Sequence, residues 1–147
     1  MSEVRKVVLV ERSPEQMFAL VDGVEDYPKF LPWCGGSEVV ERTEVLTVAI
    51  LKINYHGIRS QFSTANDKQF PTSMKLRLRE GPFRQLEGEW LFKALGESAC
   101  KIEFRLHYEF SSKLLEKVVG PVFNHIANTF VDAFVKRADQ VYGSGTK

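Results

Sequence analysis

Residues 113 to 142 read KLLEKVVGPVFNHIANTFVDAFVKRADQVY and carry apolar side chains at a helical interval. Two neighbouring rows with a spacing of four residues make up the pattern: Leu114, Val118, Val122, Ile126, Phe130, Phe134 and Ala138 in one, and Leu115, Val119, Phe123, Ala127, Val131 and Val135 in the other. Together such rows form one broad apolar stripe on an α-helix. At a rise of about 1.5 Å per residue the helix would be roughly 45 Å long. A stripe of this length predicts a partner surface that covers it.

Gly120 and Pro121 interrupt this run near its first third. A proline inside a helix removes one backbone donor, and its ring clashes with the preceding turn. We expect a bend at this point and not an end of the helix. The stripe has two interpretations: ordinary hydrophobic core, or in part the wall of a ligand cavity.

Upstream of the helix the hydrophobic period changes to two, as in β-strands. Apolar and charged residues alternate from Met74 to Arg79 and again from Cys100 to Phe110. Such alternation predicts strands with one apolar face and one polar face, and turn signals separate the segments. The pattern predicts an antiparallel sheet of six or seven strands, whose apolar face covers the C-terminal helix.

The N-terminal part predicts one strand followed by two short helices. Valines are frequent from Val4 to Glu11, while Ser13 and Pro14 supply a helix N-cap and a first-turn proline. The stretch from Tyr27 to Trp33 then combines aromatic residues with two prolines, which predicts a rigid corner. These elements add up to an α+β fold in a single domain over residues 1–147, with a curved sheet wrapped around the long C-terminal helix.

Bulk properties exclude several function classes. The net charge of +1 gives no overall attraction to nucleic acid or to an anionic membrane. Cys34 and Cys100 form no paired motif, which favours a reducing compartment and a role as small buried hydrophobes. The apolar run Val7 to Val10 is too short for a signal-peptide core or a membrane span. The expected location is the bacterial cytoplasm, with peripheral contact at the inner membrane left open.

The sequence offers little for catalysis. It contains no nucleophile elbow, no phosphate-binding loop and no metal-ligand spacing. His56 is expected in a turn, His107 on the polar face of a strand and His125 on the flank of the helix. We therefore predict no catalytic residue, no metal and no catalytic cofactor.

Large side chains that should converge between sheet and helix predict an apolar ligand cavity, entered near the corner from Tyr27 to Trp33. The candidate lining residues are Tyr27, Phe30, Leu31, Trp33, Phe83, Trp90, Phe123, Ile126, Phe130 and Phe134. Aromatic walls around a channel suit a flat ring with a flexible tail. Lys52 and Asn54 share strand parity with Val48 and Ile50, so we expect these two side chains to point inward as polar ligand contacts.

A basic strand face is a second candidate site. Between Lys75 and Arg84 four cations face the single acid Glu80, a local excess of three positive charges. The candidate RNA contacts are Arg59, Lys75, Arg77, Arg79 and Arg84. Contacts to phosphate supply affinity that falls with salt. The alternative is an ordinary solvated strand face.

Four groups of residues form a joint pattern over nearly the whole chain. They are Tyr27-Pro28-Lys29-Phe30-Leu31-Pro32-Trp33-Cys34; Gly81-Pro82-Phe83-Arg84 with Leu86, Gly88 and Trp90; Tyr108-Glu109-Phe110-Ser111; and Phe134, Arg137 and Ala138 with Val141-Tyr142-Gly143. Taken jointly, they resemble the Coq10/RatA family of START-like, helix-grip proteins. A mitochondrial leader of the eukaryotic members is not found, which points to the bacterial branch.

The resemblance implies three classes of function. We expect non-enzymatic binding or transport of a hydrophobic isoprenoid lipid, ubiquinone first, as a bound ligand that supports respiratory electron transport. The alternative is the toxin of a toxin–antitoxin pair, which binds the large ribosomal subunit and inhibits translation initiation by blocking subunit association. A polyketide cyclase/dehydrase-like enzyme is the third class.

Overall fold

The computed structural model describes residues 2–143 of the chain. Its strands are β1 (Ser2–Val10), β2 (Cys34–Arg42), β3 (Leu46–Tyr55), β4 (Ile58–Gln69), β5 (Ser73–Glu80), β6 (Phe83–Ala94) and β7 (Cys100–Phe110). Its helices are α1 (Pro14–Asp22), α2 (Tyr27–Phe30) and α3 (Lys113–Tyr142), with one 3-10 turn at Val24–Asp26. The strands form one sheet in the order β1-β7-β6-β5-β4-β3-β2, and every neighbouring pair is antiparallel. The predicted α+β arrangement, with a seven-stranded antiparallel sheet against a long C-terminal helix, is confirmed.

Local hydrogen bonds explain where the first helices begin and end. Ser13 Oγ accepts from the Gln16 backbone nitrogen at 3.1 Å, and the Ser13 backbone nitrogen donates to Gln16 Oε1 at 2.9 Å. This reciprocal pair satisfies two donors that the first helical turn leaves open. The buried Tyr27 hydroxyl donates to the Val21 carbonyl at 2.5 Å, which ties α2 to α1. The aromatic corner is therefore fixed to the preceding helix.

Helix α3 runs through Pro121 without an end. The missing proline donor leaves the carbonyl of Lys117 unpaired within the helix, but both residues lie on the exposed face, where water can satisfy that carbonyl. The expected continuity is confirmed, and the expected bend stays a prediction. The buried residues of the helix are Val119, Gly120, Phe123, Ile126, Ala127, Val131, Phe134 and Ala138.

The beginning of the apolar stripe is exposed, contrary to the sequence pattern. Leu114 is 70% exposed and Val118 is 47% exposed, and the first buried residue of α3 is Val119. In the first two turns of the helix, Leu115 packs against the core, whereas Leu114 and Val118 lie in solvent. A helical period reports which residues share a face, but it does not report how far the covering surface extends.

The two cysteines are free and buried, as predicted. Burial raises the pKa of the Cys34 thiol above its ordinary value and that of Cys100 to about 11. Both side chains are therefore protonated at neutral pH and pack as small hydrophobes. Within residues 2–143, no helix combines the length and the hydropathy needed to span a bilayer.

Candidate functional site

A small apolar cavity lies between the inner face of the sheet and α3. Its volume is about 60 Å³. Side chains from α1, α2, the sheet and α3 line it: Val21, Tyr27, Trp33, Ala49, Leu51, Phe62, Thr64, Asn66, Met74, Leu76, Leu86, Trp90, Phe104, Leu106, Phe123, Ile126, Ala127 and Phe130. The structure therefore contains a cavity between sheet and helix, at the predicted location.

The structure brings together only part of the predicted lining. Six of the ten candidates line the cavity: Tyr27, Trp33, Trp90, Phe123, Ile126 and Phe130. Phe83 instead stacks on Phe110 with ring centroids 5.0 Å apart, away from the cavity. Phe134 is fully buried and packs edge-on against Trp90 at 5.5 Å. These two rings are therefore packed core. The sequence pattern shows which large side chains share the inner face, but it does not show which of them pack against other rings and which line the cavity.

The remaining two candidates, Phe30 and Leu31, lie in a separate groove on the outside of the aromatic corner. This outer groove has a volume of about 270 Å³ and is also lined by Tyr55, His125 and residues on the last turns of α3. Trp33 contributes to both the outer groove and the inner cavity, and only 3% of its surface is exposed. The Trp33 ring is therefore the partition between the two spaces.

The inward orientation predicted for Lys52 and Asn54 is wrong. Both side chains are exposed, whereas Ala49 and Leu51 of the same strand line the cavity. The period of a strand is two, so an error of one residue moves every side chain to the other face. The run from Val48 to Ile53 is apolar on both faces apart from Lys52, which removed the contrast needed to choose the parity.

The polar residues of the cavity are Thr64 and Asn66 on β4, which the sequence reasoning missed. Thr64 is 8% exposed and Asn66 is 5% exposed, and both side chains contribute to the cavity wall. The Thr64 hydroxyl donates to Asn66 Oδ1 at 2.8 Å. A signal was available, because both residues share strand parity with Phe62, a large apolar residue of the kind that marks the inner face of a strand.

The same strand parity continues to a buried ion pair beside the cavity. Lys68 Nζ lies 3.0 Å from Asp22 Oδ2, and the Lys68 side chain is only 5% exposed. The Thr47 hydroxyl donates to the other carboxylate oxygen of Asp22 at 2.9 Å. These bonds attach the end of α1 to β3 and β4, and they use both carboxylate oxygens within the protein.

The cavity wall offers no obvious group for proton transfer. Among its described lining residues Tyr27 is the one titratable side chain. Burial is the main cause that raises the pKa of Tyr27 far above its ordinary value, so the phenol stays neutral. The three histidines lie elsewhere: His56 in the turn before β4, His107 beside Glu3 on β1, and His125 stacked on Tyr55.

The five predicted RNA contacts are all exposed, but two of them are paired with acids. Arg77 donates two hydrogen bonds to the carboxylate of Asp67, at 2.6 and 3.0 Å. Arg84 donates to Glu109 at 3.0 Å. Both acids lie outside the segment from Lys75 to Arg84, on neighbouring strands, so its excess of three positive charges is partly neutralised in the folded sheet.

The other three cations have no ion pair within the described residues. Arg59 stands opposite Asn54 in the register of β3 and β4, and Arg79 lies at the end of β5. Lys75 stands between Asp67 and Glu89 in the register of three strands. Of the five predicted contacts, Arg59, Lys75 and Arg79 are therefore the ones that are available to an external anion, and we call them the free cation set.

Comparison with known proteins connects this chain to a described family. The profile of the family "Polyketide cyclase / dehydrase and lipid transport" matches residues 10–135. A protein named "Ribosome association toxin RatA" from Vibrio cholerae is 46% identical over 97% of this chain and 99% of its own length. The protein of the same name from Escherichia coli is 40% identical over 98% of this chain and 91% of its own length.

A more distant relative carries a different name. "Coenzyme Q-binding protein COQ10 homolog B, mitochondrial" from Xenopus laevis is 27% identical over 89% of this chain, which corresponds to 55% of that protein. Among solved structures, the Zhui aromatase/cyclase from Streptomyces sp. R1128 aligns with a TM-score of 0.80 at 17% identity, over 99% of both chains. A START superfamily protein from Mycobacterium smegmatis aligns with a TM-score of 0.74 at 22% identity, over 95% of this chain and 98% of that one.

The two structural likenesses establish the START-like fold and do not establish an activity. Family membership rests on the profile match, which covers most of the chain, and on the identity to the RatA proteins along nearly its whole length. The chain therefore belongs to the polyketide cyclase/dehydrase and lipid transport family of START-like proteins, and within it to the Coq10/RatA group.

Proposed function

We propose that the protein is a ribosome-directed toxin of the bacterial cytoplasm, which binds the large subunit and blocks its association with the small one. The observation that carries this proposal is the 40–46% identity, over 97–98% of the chain, to proteins named for ribosome association. The COQ10 relative, which would favour a lipid ligand, is 27% identical and matches over a smaller share of both chains. The order of the two functions expected from the sequence is thus reversed.

The free cation set supplies a surface for ribosomal RNA in this proposal. Arg59, Lys75 and Arg79 present charges that no acid of the described chain pairs with, so phosphate oxygens can accept their hydrogen bonds. Arg77 and Arg84 would have to leave a carboxylate before they could contact phosphate. We therefore assign these two arginines a smaller part in binding.

The size of the cavity also supports the ribosomal function over lipid carriage. One water needs about 10–15 Å³ of cavity volume on this scale, so 60 Å³ corresponds to roughly four to six waters. A methoxylated quinone ring with an isoprenoid chain is larger than that. Lipid binding would require the cavity to open, whereas contact through the outer sheet face requires no rearrangement.

A non-enzymatic role is part of the same proposal. The neutral Tyr27 is the single titratable group among the described lining residues, and general acid–base catalysis needs a group that exchanges a proton near the operating pH. A polyketide cyclase-like reaction would need such a group beside its substrate. We expect a linear polyketide mimic to remain unchanged after incubation with the protein.

A sucrose gradient tests the proposed ribosomal function directly. Purified protein is added to ribosomal subunits at a magnesium concentration that favours joining, and the 70S, 50S and 30S peaks are compared with a sample without protein. We expect the 70S peak to fall and the protein to sediment with the 50S peak. Unchanged peaks, with the protein left at the top of the gradient, would contradict the proposal.

Binding of an isoprenoid lipid such as ubiquinone is the second candidate function. The cavity wall of apolar and aromatic side chains favours it, together with the family description that includes lipid transport. Transient contact with the inner membrane would then deliver or collect the lipid. Extraction of the purified protein into organic solvent, followed by mass spectrometry, should detect a stoichiometric quinone if this function is real, and only trace lipid otherwise.

A further inference from the structure

Thr64 and Asn66 form a built polar site inside the otherwise apolar cavity, and we propose that this site anchors a ligand. The ligand class that fits is an apolar ring compound that carries a carbonyl oxygen. This inference rests on the second candidate function, because it concerns the same cavity, and it is independent of ribosome association. It adds the polar contact that neither the family profile nor the relatives' names assign.

The oxygen of the Asn66 side-chain amide forms a hydrogen bond within the protein, and the nitrogen does not. Asn66 Oδ1 accepts the hydrogen bond from Thr64, which fixes the orientation of the amide on the wall. Asn66 Nδ2 makes no hydrogen bond to any of the described residues, although 95% of the residue is buried. Within residues 2–143, no side-chain nitrogen or oxygen lacks both a hydrogen-bond partner and accessible surface. Because Asn66 Nδ2 has no partner, it has accessible surface and faces the open space of the cavity.

A carbonyl oxygen is the partner that such a donor selects. The amide nitrogen carries two hydrogens and no lone pair to offer, so it binds acceptors only. An apolar ligand that fills the cavity would desolvate this donor, and a desolvated donor without an acceptor is unfavourable, since the wall of Leu51, Phe62 and Leu76 supplies none. A ring that brings a carbonyl oxygen to this point satisfies the amide and fills the apolar space in one step.

Neighbouring polar groups do not compete for the Asn66 amide. Thr47, which stands opposite Asn66 in the sheet register, donates its hydroxyl to Asp22, and Lys68 pairs with the other oxygen of the same carboxylate. The Tyr27 hydroxyl donates to the Val21 carbonyl and accepts no hydrogen bond from Asn66. Within the described residues the amide nitrogen therefore has no acceptor, so a ligand can supply one.

The route to this anchor leads through the outer groove. Trp33 lines both the groove and the cavity, so a rotation of its side chain would join the two spaces. The joined volume reaches the range of roughly 300–1,000 Å³ that small-molecule sites occupy. A ring held at Asn66 could then extend a substituent past Trp33 toward Phe30 and Leu31.

Two matched probes test the anchor, butyrophenone and butylbenzene, which differ by a carbonyl group in place of a methylene. Dissociation constants are measured by NMR titration of the full chain, followed at the indole signals of Trp33 and Trp90, the two tryptophans of the sequence, which both line the cavity. The variant carries Thr64→Val and Asn66→Leu together, which removes both polar partners and keeps the volume. Replacing both hydrogen-bond partners by apolar side chains of similar shape is close to neutral for folding. The control is Asn54→Leu, an exposed asparagine on the other face.

The preference is the ratio of the butylbenzene dissociation constant to the butyrophenone dissociation constant. We expect this preference to be about 3- to 10-fold larger in the parent protein than in the double variant, which is the range for one hydrogen bond. The Asn66 side-chain amide signal should shift with butyrophenone and not with butylbenzene, and Asn54→Leu should behave as the parent. An unchanged preference in the double variant overturns the anchor even if lipid extraction yields a quinone. Failure of the parent to bind either probe overturns it as well.

Discussion

At the scale of single residues, the buried ion pair of Lys68 and Asp22 gives the largest expected effect on stability. Removing one partner of a buried pair leaves an uncompensated charge, which costs about 3–5 kcal/mol. Asp22 retains the hydrogen bond from Thr47 and is 21% exposed, so we expect Lys68→Met to lower the free energy of unfolding by about 3 kcal/mol, the lower end of that range. Urea denaturation measures the change.

Two further variants make this prediction specific. Asp22→Asn combined with Lys68→Met removes both charges, so the double variant should recover part of the loss. Lys93→Met at an exposed position should change the free energy of unfolding by no more than about 0.5 kcal/mol. A loss at Lys68 as small as that at Lys93 would contradict a stabilising role for the pair.

A second residue-scale prediction concerns Glu25 and pH. The hydrogen bonds from Arg42 are the main cause that lowers the pKa of Glu25 from 4.5 to about 2. Because the pKa in the folded state is the lower one, the carboxylate stabilises the fold above pH 4.5, and this stabilisation is lost as the pH falls toward 2. Arg42→Gln should return the pKa of Glu25 toward 4.5 in an NMR titration. A pKa that stays near 2 would show that Arg42 is not the cause.

Residue-level assignments to the cavity could be predicted only where the strand parity was unambiguous. On β4 the large apolar Phe62 marks the inner face, and the same parity would have placed Thr64 and Asn66 correctly. On β3 both faces are apolar, so Lys52 and Asn54 were placed on the wrong side. Polar character alone thus did not identify the polar contacts of the cavity.

At the scale of elements, α3 was predicted with its bounds, but Leu114 and Val118 of its apolar stripe do not join the core. Leu114→Gln and Val118→Gln should each change the free energy of unfolding by no more than about 0.5 kcal/mol, because both side chains are exposed. Phe123→Ala should cost about 3–5 kcal/mol, because its ring packs against Tyr108 at 4.8 Å and Phe83 at 4.9 Å. Equal losses at Leu114 and Phe123 in thermal denaturation would contradict this division of the helix.

The charge of the outer sheet face illustrates what a sequence window cannot predict about elements. The count between Lys75 and Arg84 includes one acid, yet Asp67 and Glu109 approach this face from β4 and β7. Which residues stand side by side depends on strand order and register, and these are set by packing across the whole sheet. The basic strand was visible in the sequence, but its neutralisation required the folded structure.

At the scale of the whole molecule, the fold followed from two periodicities and the function did not. A helical stripe and a sheet with one apolar face can bury their surfaces only against each other, so the architecture was predictable. Proteins similar to this chain are named as toxins, a cyclase and a coenzyme Q-binding protein. The features of this chain that bear on the choice are the size of its cavity and the charges on its outer face, and both depend on the packing and register of many side chains.

The last prediction concerns ribosome association of the whole protein and its dependence on salt. Arg59→Gln, Lys75→Gln and Arg79→Gln together remove the free cation set, while Lys113→Gln, Lys117→Gln and Lys136→Gln remove the same net charge from exposed positions on α3. Each phosphate contact contributes roughly 0.7–0.9 to the slope of log affinity against log salt concentration. The first variant should therefore lower the steepness of that slope by about two to three in co-sedimentation with large subunits, and the second should leave it near the parent value. Equal slopes for both variants would mean that only net charge matters and that the ribosome is contacted through another face.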